Sequence, residues 1–212
     1  MSIPSREEMY SALEQRHGAE NQRRLEAASV AVCGLGGLGS NIAIALARAG
    51  VGHLHIIDFD RVDISNLNRQ QYFPEQIGMP KTEALRATLQ RIAPYCDIRA
   101  DLVRLAEENI PSLLGGADIV CEAFDKADQK AMLVNFVLEK MPEKYLVAGS
   151  GMAGFGTSNS IVTRRIAKRF YLCGDGVSDI ADGIGLVSSR VLVCAAHQAN
   201  AVIRIILGEF DV

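Results

Sequence analysis

Apolar residues fall into two alternating rhythms along this chain, and the alternation predicts the fold. Short runs rich in valine, isoleucine and leucine at residues 30–33, 53–58, 98–102, 119–121 and 145–148 read as strands bounded by turn-forming residues. Between them, residues 39–49, 81–92, 107–114 and 127–140 carry apolar side chains at helical spacing. Strands and helices alternating in this way predict βαβ units and a Rossmann-like, mostly parallel α/β sheet with helices on both faces. After Gly149 the rhythm changes. Residues 150–157 are mostly glycine and small side chains, and residues 160–164 and 169–172 then read as two short strands. Their connection is too tight for a right-handed crossover, which predicts an antiparallel addition at one edge of the sheet near the C-terminus. Residues 173–185 hold four glycines and three aspartates and predict a mobile loop. Residues 186–207 predict a long, mostly buried helix, and the first 28 residues read as helix without sheet partners. One domain over 1–212 is expected, with an N-terminal helical segment (1–28), a nucleotide-binding core (29–149) and a C-terminal part (150–212).

Composition narrows the classes. With 49% hydrophobic content over 212 residues, one large core is within reach. The formal charge of −3 carries no basic excess, so a nucleic-acid backbone is not the expected main partner. Arg48, Asp58, Asp118 and Arg204 interrupt the apolar runs, so no membrane-spanning segment is expected. Residues 1–24 are polar and charged, unlike a signal peptide. Five cysteines, an odd number without close pairing, predict reduced thiols in a cytoplasm. The chain has no Cys-x-x-Cys, so a structural four-thiolate zinc is not expected.

The candidate chemistry begins where the first strand ends. Gly34-Leu35-Gly36-Gly37-Leu38-Gly39-Ser40 is a Gly-x-Gly-x-x-Gly turn between a strand and a helix. Without Cβ atoms the backbone N–H groups approach a phosphate closely, and the helix N-terminus adds partial positive charge. The second strand ends in Asp58, at the distance where a carboxylate meets a ribose. The polar loop that follows offers Asn66, Arg69 and Lys81, three groups suited to holding a triphosphate during attack at its α-phosphorus. Taken singly, each also reads as a solvated surface charge or a turn residue. His17, His53, His55 and His197 read as core or surface histidines. Cys173 lies in the glycine-rich loop, where an exposed thiol becomes a nucleophile if its pKa is lowered. Its acidic surroundings, Gly174-Asp175-Gly176, predict the opposite and an inert thiol.

In this order and spacing, the glycine string, Asp58-Phe59-Asp60, Ser65-Asn66-Leu67-Asn68-Arg69-Gln70 and Gly78-Met79-Pro80-Lys81-Thr82-Glu83 closely resemble the ThiF/MoeB/HesA superfamily, relatives of ubiquitin-activating enzymes. The compact length and Gln15-Arg16-His17-Gly18 look most like its short ThiF-like branch, linked to thiamine biosynthesis. The resemblance implies ATP-dependent adenylylation of the C-terminal glycine carboxylate of a small ubiquitin-like sulfur carrier, with Mg2+ as cofactor. It also implies a carrier ending in Gly-Gly, a homodimer and a separate sulfur-donor protein. Carried over to this chain, Gly34, Gly36 and Gly39 form the turn under the nucleotide and Asp58 binds the ribose hydroxyls. Asn66, Arg69 and Lys81 contact phosphates, and Asp125 is the acid associated with magnesium. Arg16 resembles an arginine that reaches the partner subunit's active site, and equally reads as a surface helix charge. Other readings are a nicotinamide-dependent oxidoreductase, a related ATP-dependent enzyme acting on a tRNA base, or a scaffold that keeps the nucleotide site.

Overall fold

Seven strands form one sheet in the computed structural model, which describes residues 3–212. They are β1 (Ser29–Cys33), β2 (His53–Asp58), β3 (Asp97–Leu102), β4 (Ile119–Glu122), β5 (Tyr145–Gly149), β6 (Val162–Ala167) and β7 (Phe170–Gly174). The helices are α1 (Arg6–His17), α2 (Ala19–Ala27), α3 (Gly37–Ala49), α4 (Lys81–Ile92), α5 (Ile110–Leu114), α6 (Ala127–Lys140) and α7 (Ser188–Leu207). The strand order is β3-β2-β1-β4-β5-β7-β6. All neighbouring pairs are parallel except β6–β7.

Both sheet faces are covered, which is why the inner strands are mostly apolar along their length, with the acids Asp58 and Glu122 at the carboxyl ends of β2 and β4. Side chains alternate across the sheet. Val30, Val32, Leu54, Ile56 and Cys121 join the core under α3, α4 and α7. Ala31, Cys33, Ile57 and Val120 join the other, under α5 and α6.

Several expectations need adjusting. The edge addition is present, but only β6 is antiparallel within the sheet. The chain leaves β5, passes over the place where β7 will sit, descends in β6 and returns in β7 parallel to β5. Helix α5 starts three residues later than its sequence pattern suggests. Asn109 accepts from Ala106 N at 2.9 Å and donates to Arg104 O at 3.0 Å, closing a turn there, and Pro111 opens the helix. Helix α7, with 20 residues and a mean hydropathy of 1.3, is long and apolar enough to cross a membrane by length and composition. That corrects the expectation that no run reaches such a length: Arg204 falls in the last turn and does not shorten it. The helix packs on α3, β5 and β7 with half of it buried, including the polar side chains of Arg190 and Gln198.

Candidate active site

Strand order reverses between β1 and β4, and in open α/β sheets such a switch point opens a crevice beyond the carboxyl ends of the strands. Here that crevice is a cleft of ≈ 830 Å³. The glycine turn forms its floor. Gly34 has φ +90° and donates to Ile57 O at 2.9 Å, and a Cβ at Gly39 would lie 1.8 Å from Gly34 O. The first turn of α3 therefore packs directly on the backbone of the turn. Above Gly36 the space is open, with Gln70 Nε2 the nearest group at 3.8 Å from an added Cβ. No side chain caps α3, so its first N–H groups face the cleft as an anion site.

Asp58 stands at the end of β2 with 7% exposure. Its Oδ2 accepts Leu35 N at 2.6 Å and its Oδ1 accepts Asp60 N at 2.8 Å, which pins the glycine turn to the following loop. Tyr72 Oη donates to Leu35 O at 2.8 Å. Burial, reinforced by the charges of Asp58 and Asp60, pushes that phenol up, so it stays a donor.

The loop after Asp58 brings the predicted cations in. Lys81 is the first residue of α4, only 8% of its side chain is exposed, and its Nζ lies 3.2 Å from Asp60 Oδ2. It is not a solvated surface charge. Arg69 donates to Ser65 O at 3.0 Å and to Asn68 Oδ1 at 2.7 Å. Its Nε and the Oε1 of neighbouring Gln70 are buried without a protein partner, although buried polar atoms nearly always have one. Asn66 is both a turn residue and a lining residue: its Oδ1 accepts Asp63 N at 3.1 Å while the side chain borders the cleft.

Asp125 follows β4 at the cleft. Its position is set by a pair that the sequence reading missed. Glu122, fully buried at the end of β4, accepts Phe124 N at 2.7 Å and Lys130 Nζ at 2.9 Å. Lys130 also donates to Phe124 O at 3.0 Å, so both backbone groups beside Asp125 are held. Burial pushes the Glu122 carboxyl up, and the Lys130 charge opposes that shift. The available signal was an acid ending an otherwise apolar strand, with a lysine eight residues on.

Two expectations separate from the site. Arg16 is exposed near the end of α1 and does not line the cleft. Cys173 is not in a loop: it pairs with Thr163 inside the β6–β7 ladder and is fully buried. Burial pushes its thiol up to about 11 against a hydrogen bond from Thr163, and Asp175 is turned instead toward Arg190. The strand pattern of Phe170-Tyr171-Leu172 simply continues to Gly174.

The sequence of this fold and cleft matches one family over residues 10–211. The chain belongs to the ThiF family. It is 34% identical over 201 residues to the adenylyltransferase and sulfurtransferase MOCS3 of Culex quinquefasciatus, covering 91% of this chain and 44% of that protein. It is 42% identical over 109 residues to the sulfur carrier protein adenylyltransferase of Thermus thermophilus, covering 51% of this chain and 40% of that protein. The chain thus spans less than half the length of these curated ThiF-family relatives. Among solved structures, the E. coli tRNA N6-threonylcarbamoyladenosine dehydratase TcdA in complex with ATP aligns with a TM-score of 0.87 at 20% identity, covering 98% of each chain. E. coli MccB with AMPCPP and MccA aligns with a TM-score of 0.70 at 22% identity, covering 99% of this chain and 67% of that one. At these identities the likeness establishes the ThiF fold.

Proposed function

We propose that this chain uses ATP to adenylylate the C-terminal glycine carboxylate of a small ubiquitin-like sulfur-carrier protein. The observation that carries the reading is the convergence of Arg69 and the buried Lys81, from outside the glycine turn, on the cleft that the turn floors. Relatives named as adenylyltransferases support it. The cleft fits the nucleotide: an uncapped helix N-terminus for phosphate, a carboxylate at a strand end for ribose, and orphaned donor and acceptor atoms on Arg69 and Gln70.

In this reading Gly34, Gly36 and Gly39 lie under the phosphates, Asp58 binds the ribose hydroxyls, and Asn66, Arg69 and Lys81 contact phosphate oxygens. A carboxylate oxygen of the carrier bonds to the α-phosphorus, the bond to the α–β bridging oxygen breaks, and pyrophosphate leaves. No proton moves, so the reaction needs orientation and positive charge rather than a base. Asp125 would share Mg2+ with the phosphates, a cation that offsets their charge when bound. Among the described residues no group of three or more His, Cys, Asp or Glu is placed for a metal.

The carrier of thiamine biosynthesis is the proposed partner, from the resemblance to the short ThiF-like branch, with sulfur supplied by a separate protein. A homodimer with Arg16 reaching across is proposed on the same ground. Sedimentation as a monomer at micromolar concentration would retire both. A second reading, a tRNA-modifying enzyme, is favoured by one observation, the structural likeness to TcdA at a TM-score of 0.87. Pyrophosphate exchange separates them. Exchange is expected with a carrier ending in Gly-Gly and not with tRNA; the reverse pattern would replace the first reading by the second.

A further inference from the structure

The cleft has a second wall, made by residues 150–153 after β5 and 176–180 after β7. In the strand order this wall lies on the β5–β7 side, whereas Asp58 lies on the opposite, β2 side of the glycine turn. Hydrogen bonds join its two segments. Asp175 N donates to Gly151 O at 2.9 Å, Gly176 N to Ser150 O at 3.1 Å, and Ala153 N to Ser178 Oγ at 3.1 Å.

Behind the wall lies Arg190, in the first turn of α7, with 4% of its side chain exposed. Its Nε donates to Ala153 O at 3.1 Å, and one terminal nitrogen donates to Gly156 O and Thr157 O, each at 2.8 Å. The other terminal nitrogen donates to Ser160 Oγ at 3.1 Å and to Asp175 Oδ2 at 2.6 Å. Asp175 Oδ1 in turn accepts Val177 N at 2.8 Å and Ser178 N at 2.9 Å. Arg190 and Asp175 do not line the cleft themselves. A buried ion pair is a poor source of stability when an apolar side chain would fill the same space. What a guanidinium does provide is a rigid fork, and here it fixes acceptors on both segments at once.

We infer that Arg190 and Asp175 are positioning residues for the acceptor. They hold the β5–β7 wall so that an incoming carboxylate is presented to the phosphate side of the cleft. The inference rests on the adenylylation reading, and its test keeps the two apart. R190K retains the charge and loses the fork, and S160A removes one of the five contacts. Each variant is compared with wild type in pyrophosphate exchange with a Gly-Gly-ended carrier at saturating ATP, and in calorimetric binding of AMPCPP. R190K is expected to lower kcat/KM for the carrier by roughly 100-fold with AMPCPP affinity unchanged, and S160A to act in the same direction more weakly. Should R190K fail to fold by circular dichroism, S160A decides alone. If wild type exchanges but the variants leave the carrier parameters intact, or lose carrier and nucleotide in equal proportion, the inference is overturned and adenylylation stands. A wild type that exchanges with no Gly-Gly carrier overturns adenylylation, and the acceptor role with it.

Discussion

Lys81 shows how far a single residue can be read from sequence. Its neighbours along the chain suggest a helix start, and a lysine there is ordinarily solvated. Only the fold brings Asp60 beside it and buries its stem, which leaves a desolvated charge aimed at the cleft. Such a charge stabilises most where negative charge is building up. Lys81→Ala and Arg69→Ala are therefore expected to lower kcat for carrier-dependent exchange by roughly 100- to 1,000-fold while ATP affinity falls less. Equal losses in turnover and affinity would assign both residues to uniform binding. Asp58→Ala makes the contrasting case, because a ribose contact is the same in ground and transition states. Gly34 and Gly39 were legible because steric rules restrict those positions to few residue types, and Asp58 because it is the acid that ends the second strand beside the turn. The Glu122–Lys130 pair was not, since its meaning depends on burial that one strand does not reveal.

At the scale of elements, periodicity located every strand and most helix ends in the first 149 residues. It was weaker beyond Gly149, because a four-residue apolar run does not say which strand it pairs with. Thus the two strands were foreseen together as an antiparallel edge addition, but only β6 takes the edge, while β7 runs parallel to β5 and is enclosed between β5 and β6, carrying Cys173 inward with it. The loop after it is tied by Asp175. Burial alone would raise that carboxyl, but the Val177 and Ser178 amides, the Ser178 hydroxyl and Arg190 outweigh it and hold it at about 2 against an ordinary 3.8. With the folded pKa depressed, the contribution is present above the unfolded value and lost as pH falls from about 4 toward 2. It amounts to about 2 kcal/mol. Urea unfolding at pH 6 and pH 2.5 is expected to show Asp175→Asn less stable than wild type at pH 6. The gap should narrow by most, not all, of that amount at pH 2.5, which still lies above the folded value. A constant gap would mean that Asp175 does not titrate as its partners require.

For the whole molecule, the cleft's location is a property of strand order, not of any local string. A reader of the sequence sees a phosphate turn; the switch point between β1 and β4 is what opens a crevice above it. The same two-sided burial has a practical consequence for the five cysteines. Cys33, Cys121, Cys173 and Cys194 are sealed within the two cores, and Cys96 alone is partly accessible. Thiol reagents attack the thiolate and need access, so the sealed four react only when the fold opens. They make the protein a clock of its own unfolding. Under excess iodoacetamide, mass spectrometry is expected to show a first adduct at Cys96, slowed because burial pushes that thiol up to about 11, followed by a separate, cooperative step to five. The rate of that second step would report, without any added probe, how often the cores on either side of the sheet come apart.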